Sequence, residues 1–277
     1  MIWSLIFAAV AFGVLGLLRQ AQPCNPGQAR WFSRDMGRDV LWWMLSLVLY
    51  GNLAVVLTRL LLQGIYGADG QKLLEAMQAG RGAISHMPVL VQAGVIIFVV
   101  DVIQYWLHRA FHTRWLWPFH AIHHSPQELD WTATWRIHPV NFVFYETVAA
   151  IVTILMGASP LALVIVMPFN FFSAAMVHAN LNWTFGPFRF VFASPVFHRW
   201  HHSSDPAIHD KNFAPTFPFL DLLFGTYHMP VGELPENYGA EGVPDDMLGQ
   251  LAHPFVRIGA MLGAARPGRA PEAAPLP

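Results

Sequence analysis

A single cysteine, Cys24, in 277 residues leaves no partner for an intramolecular disulfide and no basis for a cysteine-ligated metal site. Any metal held by this chain must be held by nitrogen and oxygen. Charge is also scarce. Asp, Glu, Lys and Arg make up 12% of the residues and hydrophobic types 55%, against roughly 25% charged in a soluble domain. A formal net charge of −1 removes the electrostatic case for a nucleic-acid partner. No Lys or Arg precedes Arg19, so the first apolar run lacks the basic segment of a signal peptide and is expected to persist as a membrane anchor. A Gly-rich dinucleotide motif, a haem signature and the H-E-x-x-H pattern of zinc hydrolases are all missing.

What the chain has in quantity is apolar runs. Residues 1–18, 40–62, 87–107, 140–156 and 161–177 are each close to the length of a membrane-crossing helix. The last two are parted by Gly157-Ala158-Ser159-Pro160, a turn that predicts a helical hairpin. Gln71 to Met77 reads as a short amphipathic helix at the interface. Arg266 to Pro277, rich in Pro and Ala, reads as a disordered tail. The expected fold is therefore an all-α integral membrane protein with about four to five transmembrane helices. Arginines at 19, 30, 34 and 38 follow the first run; with the amino terminus outside, the positive-inside rule puts the far end of the third run in the cytoplasm of an inner or plasma membrane.

Histidine is the other excess. Eight of the 14 histidines fall within two short stretches. The first holds His108, His112, His120, His123 and His124; the second holds His198, His201 and His202. His108 and His112 are four apart, which places both on one helical face. The pattern H-x-x-H-H occurs twice, at 120–124 and 198–202, and on a helix it presents three imidazoles toward one point. Neutral imidazole binds iron, zinc, copper or nickel well and calcium or magnesium poorly. Eight or nine exceed a structural zinc site but suit two metals with four or five each. The predicted hairpin returns His178 to the same side, which makes it a candidate ninth ligand, and Asn182, one turn on, a candidate to complete the shell. Asp101 lies two turns before His108. It is either an interfacial acid that caps or pairs with an arginine, or an acceptor for a ligand N–H. Isolated histidines such as His86 and His253 read as ordinary core or interface residues.

The ordered motifs carry a resemblance. Asp101-x-x-x-Tyr105-Trp106-x-His108-Arg109-x-x-His112 is followed by Leu116-Trp117-x-Phe119-His120-x-x-His123-His124-Ser125, then by Arg136-x-His138-Pro139 and His178-Ala179-Asn180. Pro195-x-Phe197-His198-Arg199-x-His201-His202, Asn212-Phe213 and Asp221-x-x-Phe224-Gly225-Thr226-Tyr227 complete the set. Together they resemble the fatty acid hydroxylase / sterol desaturase superfamily over residues 95–255. The resemblance implies a catalytic domain over 87–255, behind N-terminal membrane helices over 1–86 and ahead of the tail over 264–277. It implies a cytosolic helical cap over a non-haem di-iron centre that uses O2 to hydroxylate or desaturate a lipid. Carried over, the eight clustered histidines become ligands of two iron ions (with zinc the expected substitute in purified or crystallised protein), with His178 a ninth. The third motif of the family is often H-x-x-x-H, and here Asn182 stands at its end, so the tenth ligand is Asn182, a water on it, or a vacancy. His138 is implied to support the ligands or face substrate. With no fused haem domain, electrons would come from a separate ferredoxin-type or cytochrome-type donor. Two other classes are weighed against this one. A metal-binding or metal-transport membrane protein would spread its ligands through the membrane depth; a membrane zinc hydrolase would use three ligands and a carboxylate base.

Overall fold

The computed structural model describes residues 2–33 and 35–264, with the backbone alone for residues 2–4, 77 and 264. The tail expected at 266–277 lies outside the described residues. The chain runs as α1 (Ile2–Ala21), α2 (Met36–Leu45), α3 (Gly51–Tyr66), α4 (Ala68–Gln78), α5 (Val89–Phe111), α6 (Trp117–His124), α7 (Pro139–Met156), α8 (Pro160–His178), α9 (Pro195–His201), α10 (Phe219–Leu223) and α11 (Met247–Ala264). Among the described residues there is no β-strand.

A π-turn, Ser46–Tyr50, joins α2 to α3, so the second apolar run becomes one rod, Met36–Tyr66, of 31 residues. The rod starts before the apolar run does because its first-turn acid, Asp39, is matched by the buried guanidinium of Arg136 at 2.6 Å. This rod, α5, α7 and α8 are long and apolar enough to cross a membrane. Only 22 to 33% of each span is buried against the rest of the chain. Leu53, Val56, Leu90, Phe98, Val164 and Met167 point outward, an apolar surface that water would not tolerate and lipid would cover.

Helix α5 packs on α7 and α8 through Ala93, Ala158 and Ala162 interleaved with Ile96, Val100 and Val166. Small residues let the backbones approach where no hydrophobic effect drives them together. The predicted hairpin turn is present. Gly157 ends α7 in the left-handed conformation (φ 66°, ψ 42°), and its Cα side abuts Gly82, where a Cβ would meet Gly82 Cα at 2.5 Å.

Helices α6, α9, α10 and α11 form a cap at the end of the bundle where α5 and α8 finish and α7 begins, whereas α4 packs on α3 and α7 toward the other end. Two buried arginines hold it. Arg199 donates to the carbonyls of Leu129 (2.7 Å) and His178 (3.2 Å) and to Asn25 Oδ1. Arg136 bonds Asp35 and Asp39 at the start of α2. The first apolar run, α1, closes on the same cap: Arg19 in its last turn is buried in an ion pair with Asp130 rather than sitting at an interface.

Candidate metal centre

The nine histidines singled out in the sequence come from four elements. His108 lies in the last turn of α5 with His112 just past its end; α6 carries His120, His123 and His124. His178 is the last residue of α8, and α9 supplies His198 and His201, with His202 at its C-cap. Pro118 lies second in α6 and Pro195 first in α9, and Ser194 Oγ caps α9 by accepting from Phe197 N at 3.2 Å.

Folding sorts them into two groups. His108, His112, His120, His124 and His201 form one; His123, His178, His198 and His202 form the other. Within each group one ring nitrogen per residue lies within 4.8 Å of all the others. Each H-x-x-H-H motif therefore serves two points rather than one. Residues i and i+4 (His120 with His124, His198 with His202) go to one group, and residue i+3 (His123, His201) crosses to the other. The reason is helical phase: i+3 and i+4 diverge by about 100° around the axis, enough to straddle two adjacent sites. The groups adjoin, with the rings of His124 and His202 stacked at 4.3 Å.

The ring nitrogens are arranged for a cation. His108 Nδ1 donates to Phe213 O (2.8 Å) and His120 Nδ1 to Asn141 Oδ1 (2.8 Å), so both Nε2 atoms carry lone pairs, yet they face each other at 3.0 Å. His178 Nδ1 donates to Ala174 O, and its Nε2 stands 3.1 Å from His123 Nε2 and 3.0 Å from His198 Nε2. Ligands on one metal at about 2.1 Å are separated by about 3.0 to 3.4 Å in octahedral or tetrahedral arrangements. In the first group the buried Nε2 atoms of His112, His124 and His201 have no hydrogen-bond partner. Opposed lone pairs and orphaned nitrogens are costly in a dry interior, and a divalent metal in each group satisfies them. The residues fit two nitrogen-bound transition-metal ions.

Burial, followed by repulsion from neighbouring imidazoles, holds His112, His120, His123, His124, His198, His201 and His202 well below the ordinary histidine range. All are therefore neutral at pH 7 and available as ligands. In the unfolded chain the same groups titrate near 6.5. Below that pH the unfolded chain takes up protons that the folded one refuses, so metal-free protein loses stability as pH falls, by up to about 1.4 kcal/mol per pH unit for each such imidazole. The melting temperature of chelator-treated protein in detergent is expected to be flat above about pH 7 and to fall steeply toward about pH 5.5; a flat profile across that lower range contradicts the account.

Residues 93–226, which contain all nine histidines, match the fatty acid hydroxylase family model. The chain's similarity therefore lies with the fatty acid hydroxylase superfamily. It is similar to the ornithine lipid hydroxylase of Rhizobium tropici, 32% identical over 174 residues, which are 62% of this chain and 53% of that protein. The alkylglycerol monooxygenase of Danio rerio is 29% identical over 46% of this chain and 28% of its own length. A very-long-chain aldehyde decarbonylase of Oryza sativa subsp. indica is 29% identical over 52% and 55%. The chain thus spans about half or less of these relatives. No solved structure matches it.

Three further candidates in the hydroxylase domain and its flanks are placed elsewhere than the sequence suggested. Asp101 is buried, but its Oδ2 accepts from Phe217 N at 3.1 Å rather than from a histidine; His108 Nδ1 is already taken by Phe213 O. His138 caps α7: its Nδ1 accepts from Val140 N and its Nε2 donates to Leu251 O, both at 3.2 Å, so it ties α7 to α11 and has no free nitrogen for ligands or substrate. Asn182 is exposed, and its N–H bonds Gln22 O. It does not follow His178 by a helical turn because the backbone leaves the helix at Ala179 (ψ 147°). The buried asparagine there is Asn180, which exchanges bonds with the backbone of Asn25. His86, His138, His209, His228 and His253 stay outside both groups. Sequence reasoning missed the groups that orient the histidines: Asn141, Asp210, and the carbonyls of Ala174, Lys211 and Phe213. Two of the five contacts come from 98 and 105 residues away in sequence, and three use backbone, which leaves no mark on residue choice.

Proposed function

We propose that this chain is an O2-dependent membrane lipid oxygenase holding two non-haem iron ions, one on His108, His112, His120, His124 and His201, the other on His123, His178, His198 and His202. The observation that carries the reading is the convergence of nine buried ring nitrogens into adjoining groups of five and four. Two irons so held supply, when bound, the reduction of O2 and the oxidation of an unactivated C–H bond. The chain's own part is to keep the imidazoles neutral and oriented, to seal the centre from water, and to set it at the mouth of an apolar bundle. A lipid is the matching substrate, since its chain can reach the centre from the bilayer without crossing water. Two of the relatives, an ornithine lipid hydroxylase and an alkylglycerol monooxygenase, support hydroxylation of a whole polar lipid over desaturation. The reductant comes from a separate ferredoxin-type or cytochrome-type protein, and the arginines after α1 favour a cytoplasmic cap.

All nine histidines gather at one end of the spans, which speaks against a permeation path for metal. Lipid mass spectrometry of cells with and without the gene tests the reading. The expected result is a lipid that gains the mass of one oxygen atom only when the gene is present. Loss of two hydrogens instead would assign desaturation. An unchanged lipidome under good expression overturns the oxygenase reading.

A further inference from the structure

Three of the five histidines in the first group are aimed by one short loop. His112 Nδ1 donates to Asp210 Oδ1 (3.0 Å), His201 Nδ1 to Lys211 O (2.7 Å) and His108 Nδ1 to Phe213 O (2.8 Å). Each bond fixes a tautomer that leaves Nε2 free for metal and fixes the plane of the ring. To present one side chain and two carbonyls to the same centre the backbone must reverse twice, and Asp210 (φ 60°) and Asn212 (φ 58°) both adopt the left-handed conformation.

That shape is held from behind. Asp221, fully buried, accepts from Phe213 N (2.7 Å), Ala214 N (2.9 Å) and Thr226 Oγ1 (2.6 Å). Asn212 Nδ2 donates to the carbonyls of Phe197 (2.8 Å) and His228 (2.6 Å), and its Oδ1 accepts from His228 N (2.7 Å). The second group draws no support from this loop. None of its four rings bonds this loop, and His178 is steadied by Ala174 of its own helix.

We infer that loop 210–213, shaped by Asn212 and Asp221, is a positioning device for the five-histidine site alone, so that the two metal sites load and fail independently. The inference rests on the two-site reading above and goes beyond it by making the centre asymmetric. It gives Asn212 and Asp221, whose side chains are taken up by Phe197, His228, Phe213, Ala214 and Thr226, a part in the centre without touching a metal.

The test is cobalt(II) titration of chelator-stripped, detergent-purified full-length chain, with bound metal counted by elemental analysis. Wild type is expected to bind two ions. Asp221→Asn weakens one of them about 10- to 100-fold and leaves the other at wild-type affinity. Asp210→Gly, which removes a largely exposed carboxylate and suits the left-handed backbone at that position, weakens the same ion about 10-fold. If Asp221→Asn does not fold, Asp210→Gly decides. Placed on His123→Ala, which leaves only the five-histidine site intact, Asp221→Asn weakens the remaining ion about 10- to 100-fold; placed on His201→Ala it leaves the affinity of the remaining ion unchanged. Equal weakening of both ions, or wild-type affinity for both in the folded variants, overturns the inference. A wild-type chain that binds fewer than two ions overturns the two-site reading itself.

Discussion

Alanine at His201 is expected to leave about one metal ion per chain and no measurable lipid oxidation, while the protein still inserts in membranes and elutes as the wild type does. His201 is buried, its Nδ1 is spent on Lys211 O, and its Nε2 has no partner. Removing the ring therefore deletes one metal donor and little else. His123→Ala is the mirror experiment, because His123 reaches the four-histidine group from the neighbouring helix. Both variants should be inactive if O2 chemistry needs the pair of ions, yet each should retain a different one. Metal analysis of purified protein and a lipid-product assay on the same preparations check both halves. Full activity in either variant refutes the ligand assignment.

Methionine at Arg136 should destabilise the folded chain by about 3 to 5 kcal/mol, the cost of stranding buried charges. Arg136 is fully buried and answers two buried carboxylates, Asp35 at 3.1 Å and Asp39 at 2.6 Å, while also bonding the Asp35 carbonyl at 3.1 Å. Asp39 in turn accepts from Thr132 Oγ1 (2.7 Å), and Asp35 from the N–H groups of Gln127 and Glu128 (3.2 Å each). The guanidinium thus joins the first turn of α2 to the segment that leads from α6 into α7, and α6 carries three of the histidines. Thermal unfolding in detergent should show the loss, and adding Asp39→Asn should restore part of it by removing one stranded charge. A melting temperature unchanged from wild type would mean that solvent reaches this cluster and that it does not brace the cap.

The spacing of residues made much of this centre readable. Four of the five apolar runs became helices long and apolar enough to span a membrane, Gly157 to Pro160 became the hairpin turn, and all nine histidines came together, because imidazoles at i, i+3 and i+4 on helices have few places to point. Readings that depended on where a helix stops did worse. Asn182 was placed by extending α8 past His178, but the chain bends out at Ala179. Asp101 was placed by counting two turns back from His108, yet the partner it meets, Phe217 N, is 116 residues away. His138 lies in a motif beside the ligands and serves instead as a cap between α7 and α11.

The order of residues along the chain by itself determined the class of the protein: too few charges for water, no cysteine chemistry, and enough histidine at helical intervals for two metals. Only the tertiary structure decided how those histidines are shared, five and four, with each H-x-x-H-H divided between the groups. It alone decided which contacts aim them. Helical periodicity is a local property that a string of letters carries, whereas the meeting of α5, α6, α8 and α9 and the carbonyls of a distant loop exist only once the chain has closed on itself.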